Sequence, residues 1–295
     1  SEAGFEAPEA TRIRSFQALE SVEIPSDHSF YPLKRRFSFT QLAGFRKCPL
    51  QYKFAHVYRI PTFGSFQRSF GQSIHLVFQR ILQLHMARTA VKQPSLFDSG
   101  SSDTTGFKSE FPVSDDEAQK IFEDAWIDEW YTDREQHEAY WARGKNALHL
   151  FMERCRQSPP DVIEIERGFV LVLGRHSLKG KIDRVDRLPD GKAIIYDYKT
   201  GNAKEKLETD DKEQLYLYQV ALEERGLTIG GMAYLYVVDG VMRDVPPLSG
   251  EDRHGFLVKI EECMSGILQS DFTATPEPFT CRSCDFRSIC EHKKL

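Results

Sequence analysis

Two short segments of the chain carry acids and a base at the ends of apolar, strand-like runs. Asp183 follows "KGKI", whereas Asp197 and Lys199 end the run "KAIIYDYKT". Buried charges are costly unless they are paired or hold a metal, so we expect these side chains to interact. The spacing D-x-K places Asp197 and Lys199 on the same face of one strand. The tripeptide is common, and on its own a plain salt bridge at a sheet edge is the simpler interpretation.

A predicted hairpin changes that interpretation. The runs 176–188 and 192–200 are separated by Pro189-Asp190-Gly191, which is typical of a tight turn. Neighbouring antiparallel strands can bring Asp183 and Asp197 within about 5 Å of each other. Two such carboxylates repel unless a cation lies between them, and carboxylate oxygens favour Mg²⁺ or Mn²⁺. A lysine beside that cation can orient a water molecule and balance charge on a phosphoryl transition state.

The same segments resemble a known family. "GKIDRVDRLPDGKAIIYDYKTG", followed by "QLYLY", is similar to the PD-(D/E)xK nuclease superfamily and most to its RecB-type branch. That branch has G-x-(I/V)-D-R-x-D, then D-(Y/F)-K-T-G, then Q-x-x-x-Y on the next helix. It also carries a histidine in G-x-x-x-H on an early helix, and "GQSIH" matches this pattern. The resemblance spans roughly 37–92 and 164–295, whereas 93–160 matches no pattern we can name.

The resemblance implies a metal site and its ligands. Asp183 and Asp197 would bind the metal directly, with His75 as a third ligand and the carbonyl of Tyr198 completing the protein's share. Glu166, on the strand before Asp183, would support these ligands from outside. Taken alone, His75 is more simply explained as a core histidine.

The resemblance also implies roles beside the metal. Lys199 would position the attacking water, and Gln214 and Tyr218 would orient the lysine or touch the phosphate backbone. Residues four apart share a helix face in any case, so an ordinary helix surface is the alternative for that pair. We expect Arg184 at the surface or facing a phosphate.

Cysteines form the second group of residues with chemical potential. Three close the chain in the spacing C-x2-C-x5-C, and a fourth lies in "FRKCPLQY": Cys48, Cys281, Cys284 and Cys290. The arrangement resembles the iron–sulfur nucleases of the RecB-type branch, which implies a [4Fe–4S] cluster stapling the two ends of the domain. The alternative is Zn²⁺ held by four cysteines, or by three with His292 or His56. We expect the two remaining cysteines, Cys155 and Cys263, to be buried free thiols.

The elements that position these residues follow from periodicity. Ser38 and Pro49 mark the starts of early helices, and "SFQRSFGQSIHLVFQRILQLHMA" predicts an amphipathic helix. Helices are also predicted over 115–131, 135–157, 210–225 and 251–270. Strands are predicted over 166–174, 176–188, 192–200 and 231–240. Core candidates in the middle helices are Trp126, Trp130, Trp141, Leu148, Leu150 and Phe151.

This order predicts an α/β (α+β) fold with a central mixed sheet flanked by helices. The resemblance adds a restriction-endonuclease-like core with a helical insertion and an iron–sulfur staple. We expect residues 1–30 to be an N-terminal extension and 31–295 a single nuclease domain. Within it, 93–160 would be a flexible loop plus helical insertion, and 276–295 the cysteine segment.

Charge is distributed unevenly along the chain. The net charge is −5, yet 31–92 contains eleven Lys and Arg and no acid, whereas 93–153 carries fourteen acids and five bases. An acid-free stretch is typical of a polyanion-binding surface, although a solvated face explains it equally well. Aromatic residues interleave with these bases and could stack nucleobases, while most are better explained as core. They are Phe37, Phe39, Phe45, Tyr52, Phe54, Tyr58, Phe63, Phe66 and Phe70.

These features favour a metal-dependent DNA nuclease, an exonuclease on single-stranded ends in repair or recombination, with a helicase domain or subunit as partner. The first alternative is a catalytically inactive DNA-binding scaffold of a helicase–nuclease complex, and the second a zinc-stapled enzyme acting on RNA. The sequence contains no run of about 18 apolar residues, so no membrane span is predicted. The chain starts at Ser1 without a visible signal peptide, so we expect a processed product or fragment, a cytoplasmic location and no disulfides.

Overall fold

A computed structural model describes residues 36–91 and 110–294, and its centre is a six-stranded mixed sheet. Strand order is β1-β3-β4-β5-β6, and β2 pairs with β3 outside this path. The predicted fold class, a mixed sheet flanked by helices, is confirmed. The strands are β1 (Arg36–Ser38), β2 (Val162–Leu173), β3 (His176–Arg187), β4 (Ala193–Lys199), β5 (Ile229–Tyr236) and β6 (Val241–Val245).

Most helices begin where the sequence supplies a cap. Ser38 forms a capping box with Gln41 at the start of α1, and Pro49 is the first residue of α2. A π-helical turn, Lys53–Val57, follows α2. The helices are α1 (Phe39–Lys47), α2 (Pro49–Tyr52), α3 (Phe66–Val91), α4 (Asp115–Ala125), α5 (Arg134–Gln157), α6 (Thr209–Glu223), α7 (Gly250–Gln269) and α8 (Pro278–Arg282). Within the described residues, none is both long and apolar enough to cross a bilayer.

The β3–β4 hairpin closes at the predicted turn. Leu188 N donates to Lys192 O over 2.7 Å, and Gly191 has a φ of +82°, which favours glycine. β4 and β5 run parallel, so their connection must cross over the sheet, and α6 makes this crossover. Helix α6 therefore follows directly after the end of β4 that carries Lys199.

Helix α3 is anchored on the sheet by its apolar face. Phe78 is fully buried and stacks on Phe151 of α5, with ring centroids 3.9 Å apart. The same ring meets Tyr198 of β4 edge-on at 5.1 Å. His75 lies one turn before Phe78, so this packing holds the histidine next to the end of β4.

The structure departs from the sequence prediction in the helical insertion. Helix α4 ends at Ala125, six residues before the predicted end, because Trp126 adopts an extended conformation. Trp130, a predicted core residue, is 51% exposed, so that prediction is wrong. Strands β1 and β6, three and five residues long, were not predicted. Much of the predicted loop after residue 92 and the domain boundary at residue 31 lie outside the described residues.

The expectation of a surface position for Arg184 is also wrong. Its guanidinium is buried and donates from Nε to Asp186 Oδ1 over 2.7 Å, with a second contact to Oδ2. Alternation along β3 points Arg184 and Asp186 away from the face that carries Asp183. Helices cover both faces of the sheet, so a charge on either face is buried and must be paired.

This buried pair yields a stability prediction. Asp186→Ala should lower the free energy of unfolding by about 3–5 kcal/mol, because it leaves an unpaired buried guanidinium. The double variant Arg184→Met/Asp186→Leu should recover most of that loss, since it removes both charges. Urea denaturation measures both. A loss below about 1 kcal/mol for the single variant would contradict the account.

Candidate active site

The two predicted carboxylates meet where β3 and β4 pair. Arg184 lies opposite Tyr196, and continuing this register by one residue places Asp183 opposite Asp197. Asp183 is 6% exposed and Asp197 2% exposed. Asp183 Oδ2 accepts a hydrogen bond from the backbone N–H of Tyr198 over 2.8 Å. The hairpin thus brings together the two acids that the sequence singled out.

Asp197 and three other side chains close a ring of polar contacts. Lys199 Nζ lies 2.7 Å from Asp197 Oδ2 and donates to Gln214 Oε1 over 2.9 Å. Gln214 Nε2 donates to the Tyr218 hydroxyl over 2.6 Å, and that hydroxyl donates to Asp197 Oδ1 over 3.3 Å. An ammonium has three N–H donors, and the ring uses two of them. The Nζ atom also lies 4.6 Å from the centroid of the Tyr234 ring. Because the Lys199 side chain is 34% exposed, a water or a phosphate oxygen can still reach the third N–H.

A second group of ligand-type side chains lies beside this ring. His75 Nδ1 is 3.5 Å from Asp183 Oδ1 and 3.7 Å from Glu166 Oε1. One ligand atom from each of the three lies within 4.8 Å of the other two. His75 Nε2 is 3.2 Å from the carbonyl oxygen of Tyr198, the backbone oxygen expected in the metal site. Nitrogen and carboxylate oxygen donors of this kind suit a divalent cation such as Mn²⁺ or Mg²⁺.

Glu166 belongs to this group, although the sequence suggested only a supporting position. Its neighbours Ile165 and Arg167 pair with Arg184 and Ile182, so Glu166 faces Asp183 across the β2–β3 pair. Glu166 has a φ of +51°, a left-handed conformation that costs a non-glycine residue about 1–3 kcal/mol and that clusters at functional sites. Counting residues across the turn at 174–175 would have found this partner.

Asp197 lies outside the group of three. Both of its oxygens are engaged within the ring, one by Lys199 and the other by Tyr218. In this arrangement its charge is balanced by the ammonium, while Asp183 and Glu166 face the imidazole. Direct metal ligation by Asp197 stays a prediction.

The electrostatics of the site attract a positive charge. Burial disfavours the imidazolium, but the carboxylates of Asp183, Glu166 and Asp197 outweigh it and raise the pKa of His75 to about 10. Burial raises the pKa of Asp197 above its ordinary value, and Lys199 opposes that rise. Burial and the nearby carboxylates also raise the pKa of Tyr218, so its hydroxyl stays protonated and can donate. The donor set and its charge therefore fit a bound divalent cation.

The four predicted cysteine ligands line one cavity. Cys48 comes from the junction of α1 and α2, and Cys281, Cys284 and Cys290 come from the C-terminal segment. Burial raises the pKa of the Cys284 thiol, and the neighbouring Cys290 and Cys48 raise it further. Thiolates that repel one another require a cation between them. The donor set therefore fits a thiolate-bound metal or cluster.

Contacts around the cavity join the region of α1 and α2 to the C-terminal segment. The Thr275 hydroxyl donates to the Lys47 carbonyl over 3.3 Å. Phe54 meets Phe286 edge-on with centroids 5.5 Å apart. His292 also lines the cavity, whereas the His56 ring packs against Tyr52 at 4.9 Å.

The two other cysteines differ in burial. Cys155 is buried, as predicted, and Cys263 is half-buried. All six cysteines of the chain are free thiols in the structure.

A family model matches this chain, and a solved structure is similar to it. The family model described as the PD-(D/E)XK nuclease superfamily matches residues 36–291. A solved structure titled "Crystal structure of SSO0001" covers 90% of this chain and 89% of its own, with 16% sequence identity and a TM-score of 0.41. No curated protein matches the sequence.

The metal group yields a binding prediction. Glu166→Gln should weaken Mn²⁺ binding at least about tenfold, because it removes a charged ligand atom. Isothermal titration of the metal-free protein measures the affinity. Asp190→Asn, in the exposed hairpin turn, is the matched control and should bind as wild type. Equal affinity for Glu166→Gln and wild type would remove Glu166 from the ligand set.

Proposed function

Because the chain belongs to the PD-(D/E)XK nuclease superfamily, we propose that it is a Mg²⁺- or Mn²⁺-dependent deoxyribonuclease that hydrolyses phosphodiester bonds. The observation that carries the proposal is the ring of Asp197, Lys199, Gln214 and Tyr218 next to the group of His75, Glu166 and Asp183. All positions of the RecB-type motif are occupied, which favours an active enzyme over a DNA-binding scaffold.

The residues of the site would have different roles in hydrolysis. His75, Glu166 and Asp183 would hold the cation, with the Tyr198 carbonyl and Asp197 close by. When bound, a divalent cation supplies Lewis-acid stabilisation of the charge that develops on the phosphate. Asp197 and Gln214 hold the Lys199 ammonium in one position, and its third N–H can orient the attacking water. The same ammonium stabilises negative charge on the pentavalent phosphorus centre.

The proposed substrate is a single-stranded DNA end, which the enzyme would cut as an exonuclease in repair or recombination in the cytoplasm. The RecB-type motif supports this choice, and so does the acid-free stretch 31–92, since a polyanion binds best where carboxylates are absent. Nucleases of this branch often accompany helicases, so we propose a helicase domain or subunit as partner.

We propose that the four cysteines hold a [4Fe–4S] cluster. The tail spacing C-x2-C-x5-C, the distant Cys48 and the nuclease motif together support the cluster over zinc. The four cysteines line one cavity, and the role of the cluster would be to staple the C-terminal segment to α1.

The catalytic proposal is tested at Lys199. Lys199→Ala should lower the rate of DNA cleavage about 100-fold or more, because one preorganised cation is lost from the transition state. End-labelled single- and double-stranded DNA in Mg²⁺, Mn²⁺ or EDTA reports activity, metal need and polarity on one gel. Lys192→Ala, at the exposed hairpin turn, is the control. Cleavage by Lys199→Ala at the wild-type rate would refute the assignment.

The cofactor proposal is tested by purification without oxygen. We expect a brown protein with about four iron and four sulfide per chain, and Cys48→Ser should lose most of both. Cys155→Ser, a cysteine outside the cavity, should keep them. A colourless wild-type protein with stoichiometric zinc would show that the cavity is a zinc site.

A further inference from the structure

Two exposed aromatic residues, Phe63 and Trp130, lie close together at Gly64, which precedes α3. Phe63 is 87% exposed and Trp130 is 51% exposed. The Trp130 indole lies against Gly64, the residue after Phe63, where any Cβ atom would overlap the ring. Glycine at this position therefore permits the contact that brings Trp130 beside Phe63.

The backbone constrains Trp130, and the chain on both sides of it and before α3 is held by aromatic contacts. Its φ is +67°, a conformation that bulky residues rarely adopt and that signals a local constraint. The next residue, Tyr131, stacks on Trp126 with centroids 6.0 Å apart and an interplanar angle of 9°. Tyr140 contacts Phe66 at the start of α3 with centroids 5.0 Å apart. An exposed indole in a constrained segment is suited to stacking against a flat ligand.

A polar stripe on α3 leads from these rings toward the candidate active site. Arg68, Gln72 and His75 lie on one face of the helix, since successive residues turn by about 100°. Arg68 and Gln72 are exposed. From Phe66 to His75 the helix axis advances about 14 Å. A Cβ at Gly71 would touch Thr200 Oγ1 at 3.4 Å, so this part of α3 lies over the end of β4, next to Lys199.

The charges along the stripe suit a phosphate backbone. Among the described residues, Arg68 on the stripe forms no ion pair, and neither does the exposed Arg59, which precedes α3. The stretch 36–91 contains no acid. Asp128 and Glu129 precede Trp130 and are exposed, so a polyanion would keep its phosphates on the α3 side and turn its bases toward the rings.

We propose that Phe63 and Trp130 form a stacking platform for unpaired bases of single-stranded DNA, whose following phosphates pass Arg68 toward His75. The inference rests on the proposed nuclease function, because it requires a nucleic acid substrate. Stacking on aromatic side chains tolerates any base, since every base has a π-face. In a duplex those faces are covered by neighbouring base pairs. The platform therefore gives a physical basis for selecting single strands.

The test measures DNA binding separately from cleavage. The 295-residue protein is titrated in EDTA against dye-labelled oligo(dT) of about 12 nucleotides, and fluorescence anisotropy of the dye is recorded. Phe63→Ala and Trp130→Ala should each weaken binding roughly tenfold, the usual effect of losing one stacked base, and leave binding of a blunt duplex unchanged. Phe279→Ala removes an equally exposed phenylalanine, 85% exposed, and should bind as wild type.

The phosphate path is tested by salt dependence. Arg68→Ala should reduce the slope of log affinity against log salt by about 0.7, the value for one phosphate contact on a single strand. Arg80→Ala, an exposed arginine on another face of the same helix, should leave the slope unchanged.

The outcomes separate this inference from the proposed function. A wild-type protein that cleaves DNA and binds oligo(dT), with Phe63→Ala and Trp130→Ala matching Phe279→Ala, overturns the platform and leaves the nuclease intact. A wild-type protein that neither binds nor cleaves DNA overturns both. Phe63 is too exposed for its removal to unfold the chain, so its result stands even if the Trp130 variant is unstable.

Discussion

Two carboxylates facing each other in a nearly dry sheet are the constraint on which the rest of the site depends. Asp183 and Asp197 lie opposite each other across β3 and β4, and each is less than 10% exposed. Burial and the neighbouring Asp183 charge both disfavour the ionised form of Asp197. Positive groups must therefore be brought to this point. Lys199 supplies one from the same strand, and the other side of Asp183 faces the His75 imidazole and the position suited to a divalent cation.

Several distant elements serve this charge balance. Helix α3 packs through Phe78 on Tyr198 and so delivers His75 to the end of β4. Helix α6, the crossover from β4 to β5, delivers Gln214 and Tyr218, which hold Lys199 and Asp197 in register. Strand β2 places Glu166 opposite Asp183 at the cost of a left-handed backbone. The PD-(D/E)xK pattern thus specifies charges on one hairpin, and the surrounding helices determine whether those charges are balanced.

The sequence predicted those parts of the site that short-range rules determine. Hairpin spacing located Asp183 and Asp197, and helical spacing located Gln214 and Tyr218, because each relation lies within one or two elements. The sequence predicted only a supporting position for Glu166, because its pairing with Asp183 depends on the register of a second hairpin, β2–β3. The surface position predicted for Arg184 is wrong because helices cover both faces of the sheet. In such a sheet, a polar residue in an alternating strand pattern is not necessarily exposed to solvent. The core position predicted for Trp130 is wrong because no Gly or Pro marks the end of α4 at Ala125, and its apolar side chain fits a helix over 115–131.

The central claim is that a divalent cation lies between His75, Glu166 and Asp183 and relieves the carboxylate repulsion. Anomalous diffraction from crystals soaked in Mn²⁺ tests it directly. The account predicts one strong peak within ligand distance of Asp183 and Glu166, with His75 Nδ1 or the Tyr198 carbonyl also bound. Ordered crystals that show no peak there, with Lys199 and His75 still paired to the carboxylates at saturating Mn²⁺, would contradict it.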